Sequence, residues 1–154
     1  MHNATKIETL ARGVLVDGRG RILLCRDLRR DYLYLPGGHV EPGETAASAL
    51  LRELAEETDL PTARLAVGGL GLVAEQLFEQ RGTRRHEYSL VFHVEHTGGS
   101  WPESVESRER RLGFEWVERA ALVDADVRPT AVKAWLVAGG RGSGAEWVGG
   151  SCST

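Results

Sequence analysis

The sequence predicts an α/β fold built on a mixed β-sheet, and three observations carry that expectation. Residues 86–96 (HEYSLVFHVEH) place Tyr88, Leu90, Phe92 and Val94 on one face and Glu87, Ser89, His93 and Glu95 on the other, the period-two pattern of a strand. Residues 46–57 are mostly Ala, Leu, Arg and Glu with no Pro or Gly, a run of strong helix formers. Short aliphatic runs bounded by Gly, Pro and Asp lie on both sides of that helix, as strands do when they alternate with helices in one sheet.

Taken in order, residues 6–16 and 21–25 read as two strands, and Asp17-Gly18-Arg19-Gly20 between them is a hairpin turn signal. Tyr32 to Leu35 form a short strand that Pro36-Gly37-Gly38 stops. Thr45 is placed to cap the helix, because its hydroxyl can accept from an early orphan N–H. Residues 64–78 read as strand with Gly68, Gly69 and Gly71 as interruptions, and Arg81-Gly82-Thr83 turns the chain into strand 86–96. Residues 97–110 are polar and read as loop, and 112–117 as a further strand. Short helices are expected near 118–124 and 129–138, the second with Pro129 near its first turn. Residues 1–138 make one domain; 139–154 are rich in Gly and Ser and are expected to form a flexible tail.

Composition bounds the function. A chain of 154 residues, 42% hydrophobic and 27% charged, can bury a real core. A formal charge of −3 gives no general attraction to nucleic acid or to an anionic membrane. Two cysteines, Cys25 and Cys152, make no disulfide framework and suit a reducing, cytoplasmic setting. No apolar run is long enough for a membrane span or a signal peptide. A homodimer is left open.

One segment points to chemistry. Gly38 is followed by Glu44, and Arg52-Glu53-Leu54-Ala55-Glu56-Glu57 comes after seven more residues, with Leu60 beyond. At about 100° per residue, Ala47, Leu50, Leu51 and Leu54 fall on one side of the helix and Glu53, Glu56 and Glu57 on the other. Three crowded carboxylates repel one another unless a cation neutralises them. An oxygen-only donor set suits Mg²⁺, which binds one or two carboxylates together with substrate phosphates. The segment resembles the Nudix box at Gly38, Glu44, Arg52, Glu53, Leu54, Glu56, Glu57 and Leu60, and departs from it at Asp59, where the family has glycine.

The resemblance implies a Nudix-like α/β/α sandwich and a Mg²⁺-dependent pyrophosphohydrolase, with Mn²⁺ as a substitute. Its partner would be a small-molecule nucleoside diphosphate derivative: a nucleotide, an ADP-ribose type compound or a nucleotide sugar. It implies Glu53, Glu56 and Glu57 as metal ligands, with the Gly38 region completing the site. Arg52 would hold carboxylate geometry, and Glu44 would tie the loop to the helix or hold a second metal. Glu53 is one candidate base; Glu87, Glu103, Glu106 and Glu109 are alternatives from later segments. His39, Arg84, Arg85 and Tyr34 are candidate substrate contacts. Tyr32 and Phe78 could stack on a base, although core packing is their commoner role, and Trp116 reads as packing. Position 59 in the family reads as a left-handed helix terminus, so Asp59→Gly is expected to stabilise, unless Asp59 has acquired a role of its own. Two rivals stand beside the hydrolase: an isomerase like the isopentenyl diphosphate isomerases, for which Cys25 is a poor catalytic candidate, and a non-catalytic nucleotide-binding domain.

Overall fold

A computed structural model describes residues 6–140 and, as backbone, 146–151. The strands are β1 (Ile7–Leu15), β2 (Ile22–Asp27), β3 (Tyr32–Tyr34), β4 (Gly37–His39), β5 (Leu65–Gln80), β6 (Thr83–His96), β7 (Leu112–Val117) and β8 (Glu146–Ser151). The helices are α1 (Ala46–Glu57) and α2 (Thr130–Val137), with 3-10 turns at Thr62–Arg64 and Arg119–Val123. Five strands form a mixed sheet in the order β4-β1-β6-β5-β8, and three form a second sheet in the order β3-β2-β7. The mixed sheet joins β1 to β6 and β5 to β8 in parallel, while β4 and β5 run antiparallel to their other neighbours.

Both faces of the large sheet are covered. On one, Val14, Leu72, Ala74 and Val91 pack with Ile22, Leu24 and Leu33 of the small sheet, with Leu35 just after β3, and with Val132, Trp135 and Leu136 of α2. On the other, Ala11, Leu15, Phe92 and Val94 meet Ala49, Leu50 and Leu54 of α1. The sequence reading of β6 assigned its apolar residues to one face. The structure buries Ser89 and Val91 on the second face as well, because a central strand between two cores has no solvent side.

Local chemistry explains the boundaries. Thr45 Oγ1 accepts from the Ser48 amide and caps α1. The β5–β6 hairpin turns on Arg81 and Gly82, both with positive φ, the requirement of a tight two-residue hairpin. Gly37 and Gly38 do not simply end β3. With His39 they form β4, which pairs with Leu10–Arg12 of β1. Gly37 has φ +133, and a side chain there would collide with the Ala11 carbonyl.

The tail departs from expectation in part. Glu146–Ser151 lies beside β5 in register Leu72↔Glu146 to Leu77↔Ser151. An edge as long as β5 leaves a row of unpaired amides and carbonyls, and a Gly-rich segment can satisfy them through backbone alone. Residues 141–145 and 152–154 of the expected tail lie outside the described residues. A chain ending at Gly140 is therefore expected to melt at lower temperature and to self-associate through the bared β5 edge. Thermal melts and size-exclusion chromatography check this; an unchanged midpoint in a monodisperse sample would contradict it.

Candidate active site

The site forms where β4 passes under α1. A Cβ built on Gly38 would lie 2.6 and 2.7 Å from the two carboxylate oxygens of Glu53. The Glu53 carboxylate therefore rests on bare backbone, in space that a side chain at 38 would fill. Glu53 and Glu57 continue the buried stripe of Ala49, Leu50 and Leu54, being three or four residues from its members. This corrects the reading that set all three carboxylates opposite the apolar side. Glu56 alone points outward, its side chain 56% exposed against 16% for Glu53.

Arg52 organises the loop and the helix together. Its Nε and Nη2 donate to the two carboxylate oxygens of Glu44 at 3.1 and 2.7 Å. Its Nη1 donates to Glu53 at 3.0 Å and to Glu56 at 3.4 Å, and Nη2 also reaches the His39 carbonyl at 3.0 Å. Glu44 in turn accepts from the Glu41 amide at 2.8 Å. The hydrogen bonds from Arg52 hold the Glu44 carboxyl below the usual carboxylate range. Glu44 thus ties the Gly-rich loop to the helix, one of the two roles the resemblance implied for it.

Glu57 is different. Its Oε2 is buried with no hydrogen-bond partner. Burial raises its carboxyl from the ordinary 4.5 to about 7, and the charges of Glu53, Glu109 and Glu56 push the same way while Arg12 opposes them. An orphaned buried carboxylate oxygen beside a second carboxylate on a bare glycine fits a divalent cation. Among the described residues no three His, Cys, Asp or Glu side chains yet converge as a finished ligand set. The fit lies in the donor chemistry and in the room left at Gly38.

Arg12 and Glu8 are residues that the sequence did not single out. Arg12 donates to the Gly37 carbonyl at 2.9 Å and to that of Leu35 at 3.3 Å, and lies over the Tyr34 ring. Its charge reaches both Glu57 and Glu87. An arginine among β-strand residues carried no spacing signal. Glu8 accepts from Arg85 Nη1 at 3.1 Å and stands 3.7 Å from His39 Nε2. It sits directly opposite Glu87 across the β1–β6 pair.

The four alternative carboxylates separate. Glu103 is exposed and pairs with Arg19 and Arg21 at the turn between β1 and β2. That turn and Trp101 border a cleft of about 1010 Å³ whose lining contains none of the box residues. Glu106 is exposed and is bound through its backbone to Asp59. Glu87 lies on the sheet face beside Glu8 and Arg12, its carboxyl raised first by burial and then by Glu8. Glu109 lies close enough to Glu57 for its charge to act there. The candidate substrate contacts also divide: Arg85 pairs with Glu8 and Arg84 is exposed, while the neighbouring His86 bonds Glu75 at 2.8 Å. Tyr34 is half-buried and shares a hydrogen bond with Cys25, whose thiol burial raises to about 12. Tyr32 lies under the Arg128 guanidinium. Trp116 packs on the α1 core and donates to the Pro102 carbonyl.

Asp59 corrects the sequence reading. Among the described residues, those with positive φ other than glycine are Asp31 and Arg81, so position 59 is not a left-handed terminus. α1 ends instead at Thr58, extended, whose amide and hydroxyl both donate to the Leu54 carbonyl. Asp59 Oδ1 accepts from the Glu106 amide at 2.9 Å.

Comparisons with known proteins show the family. The NUDIX domain family matches residues 8–136, and the chain belongs to that family. It is 35% identical over 130 residues to the 8-oxo-dGTP diphosphatase of Haemophilus influenzae, covering 82% of this chain and 86% of that one. It is 37% identical over 102 residues to putative 8-oxo-dGTP diphosphatase 2 of Mycobacterium tuberculosis, and 32% over 115 residues to human 8-oxo-dGDP phosphatase NUDT18. The match takes in 64% of the mycobacterial relative and 32% of the human one, against 66% and 71% of this chain. Among solved structures, a MutT protein of Bacillus halodurans superposes with a TM-score of 0.69 at 18% identity, over 94% of this chain and 89% of that one.

The Glu57 carboxyl sets a pH dependence. Its proton is held more tightly in the folded chain than in the unfolded one, so between pH 4.5 and about 7 the folded state carries the extra proton. Stability of the metal-free protein from this group is full below pH 4.5 and is lost as pH rises through 7, an effect on the order of 3 kcal/mol. Glu57→Gln should remove that slope. Denaturant melts in EDTA from pH 4.5 to 8 measure it, and parallel curves for the two proteins would contradict it.

Proposed function

We propose that the chain is a divalent-cation-dependent hydrolase of the phosphoric anhydride bond in a nucleoside diphosphate derivative, with an oxidised purine nucleoside triphosphate of the 8-oxo-dGTP type as the leading substrate. The observation that carries the reading is the orphaned Glu57 oxygen next to a Glu53 carboxylate seated on Gly38. The names of the relatives favour the oxidised nucleotide over an ADP-ribose type compound or a nucleotide sugar.

Glu53, Glu57 and Glu56 would hold Mg²⁺, with Mn²⁺ as a substitute. When bound, the cation supplies neutralisation of the diphosphate and polarisation of its oxygens. The residues of the chain do the rest. Arg52 holds Glu44 and Glu53 in place, so little reorganisation is left for the reaction. Arg12 keeps a positive charge beside Glu57. The attacking water forms the new P–O bond as the bridging P–O bond breaks, and its proton passes to a carboxylate oxygen. Glu109 is our choice for that proton, because it is exposed to water and close to Glu57. A cytoplasmic setting fits a nucleotide substrate.

Phosphate and pyrophosphate release should be assayed over 8-oxo-dGTP, dGTP, ADP-ribose, a nucleotide sugar and a dinucleoside polyphosphate, with Mg²⁺, Mn²⁺ or EDTA. Cation-dependent turnover is expected, highest on 8-oxo-dGTP, and Glu57→Gln should lower kcat by on the order of a hundredfold. Equal turnover in EDTA, or a fully active Glu57→Gln, would overturn the reading.

A further inference from the structure

The box departs from its family at one position, and that position is bonded on both sides to the same residue. The Asp59 amide donates to the Glu106 carbonyl at 3.1 Å, and Asp59 Oδ1 accepts from the Glu106 amide at 2.9 Å. Neighbouring links extend the seam. Thr58 bridges Ser107, the Arg108 amide donates to the Glu57 carbonyl at 2.8 Å, and Arg108 Nη1 reaches the Ala55 carbonyl at 3.2 Å. Ser107 Oγ then bonds the Glu109 amide and carbonyl at 3.1 and 2.9 Å. A chain of short bonds thus runs from the end of α1 to Glu109.

We infer that Asp59 is a positioning residue: its carboxylate straps the segment 106–109 to the end of α1 and so holds Glu109, next in the chain to the Arg108 amide that bonds the Glu57 carbonyl, near Glu57. A glycine at 59 retains the backbone bond to Glu106 but leaves the Glu106 amide without its side-chain acceptor. Apart from half-buried Ser107, residues 106–109 are exposed, and only Val105 before them is buried in the α1 core. Little apolar contact holds the segment, so its hydrogen bonds decide its order. Asp59 therefore acts through the loop. The inference rests on the hydrolase reading through Glu109.

The test compares Asp59→Gly, Asp59→Asn and Glu109→Gln with the wild-type chain on 8-oxo-dGTP with Mg²⁺. Asp59→Gly should lower kcat about tenfold through misplacement of Glu109, with KM within about twofold. Asp59→Asn keeps the Oδ1 acceptor and should stay within about twofold of wild type. Adding Asp59→Gly to Glu109→Gln should cost less than about twofold more, because both changes act on one group. Amide exchange of Glu106–Arg108 should quicken on the order of tenfold in Asp59→Gly and not in Asp59→Asn. Wild-type kcat in Asp59→Gly, equal loss in Asp59→Asn, or an undiminished loss in the Glu109→Gln background would overturn the inference. If the wild-type chain hydrolyses none of the anhydrides, the hydrolase reading fails by itself. Exchange then decides the strap: faster exchange in Asp59→Gly upholds it, and unchanged exchange overturns it.

Discussion

The seat of the Glu53 carboxylate on the bare α-carbon of Gly38 is the contact around which the site is arranged. It requires β4 to run close under α1, and that requires Gly37 to adopt its positive φ against the Ala11 carbonyl. It also requires α1 to lie with Glu53 and Glu57 on its inner edge, which the packing of Leu50 and Leu54 on Ala11 and Leu15 enforces. The acidic pair is therefore placed by apolar burial. Burial of Glu57, with the neighbouring Glu53 charge adding to it, is the cost of that placement, and it appears as the raised Glu57 carboxyl.

Arg52 limits that cost without removing it. One guanidinium serves Glu44, Glu53, Glu56 and the His39 carbonyl. A planar fork of donors can do this where a lysine ammonium could not. Glu57 is left outside the network, with one buried oxygen unsatisfied. Buried polar groups are almost always bonded, and this exception is what the proposed cation site rests on. The site is thus tied together around Arg52, with Glu57 outside the network.

Much of the fold was legible because its signals are local. The helix start at Thr45, the hairpin at Arg81-Gly82 and the alternation of β6 each follow from a few neighbouring residues. The box residues were legible through their spacing. What escaped depends on pairing between distant segments. Arg12 matters because β1 lies beside β4, and Glu8 because it faces Glu87 and Arg85 across a parallel pair. Asp59 was read as a strained helix end because only its own neighbourhood was visible; its partner, Glu106, is 47 residues away. Backbone pairing of residues 146–151 escaped for a similar reason, since Gly-rich sequence carries no side-chain pattern to announce a strand.

The most direct measurement of the central claim is the comparison of Gly38→Ala with the wild-type chain for both stability and turnover. The added methyl group meets the flexible end of Glu53, so the fold should survive with a thermal midpoint within a few degrees. The Glu53 carboxylate must leave its seat, and cation-dependent turnover should fall on the order of a hundredfold. Full turnover in a stably folded Gly38→Ala protein would contradict the account.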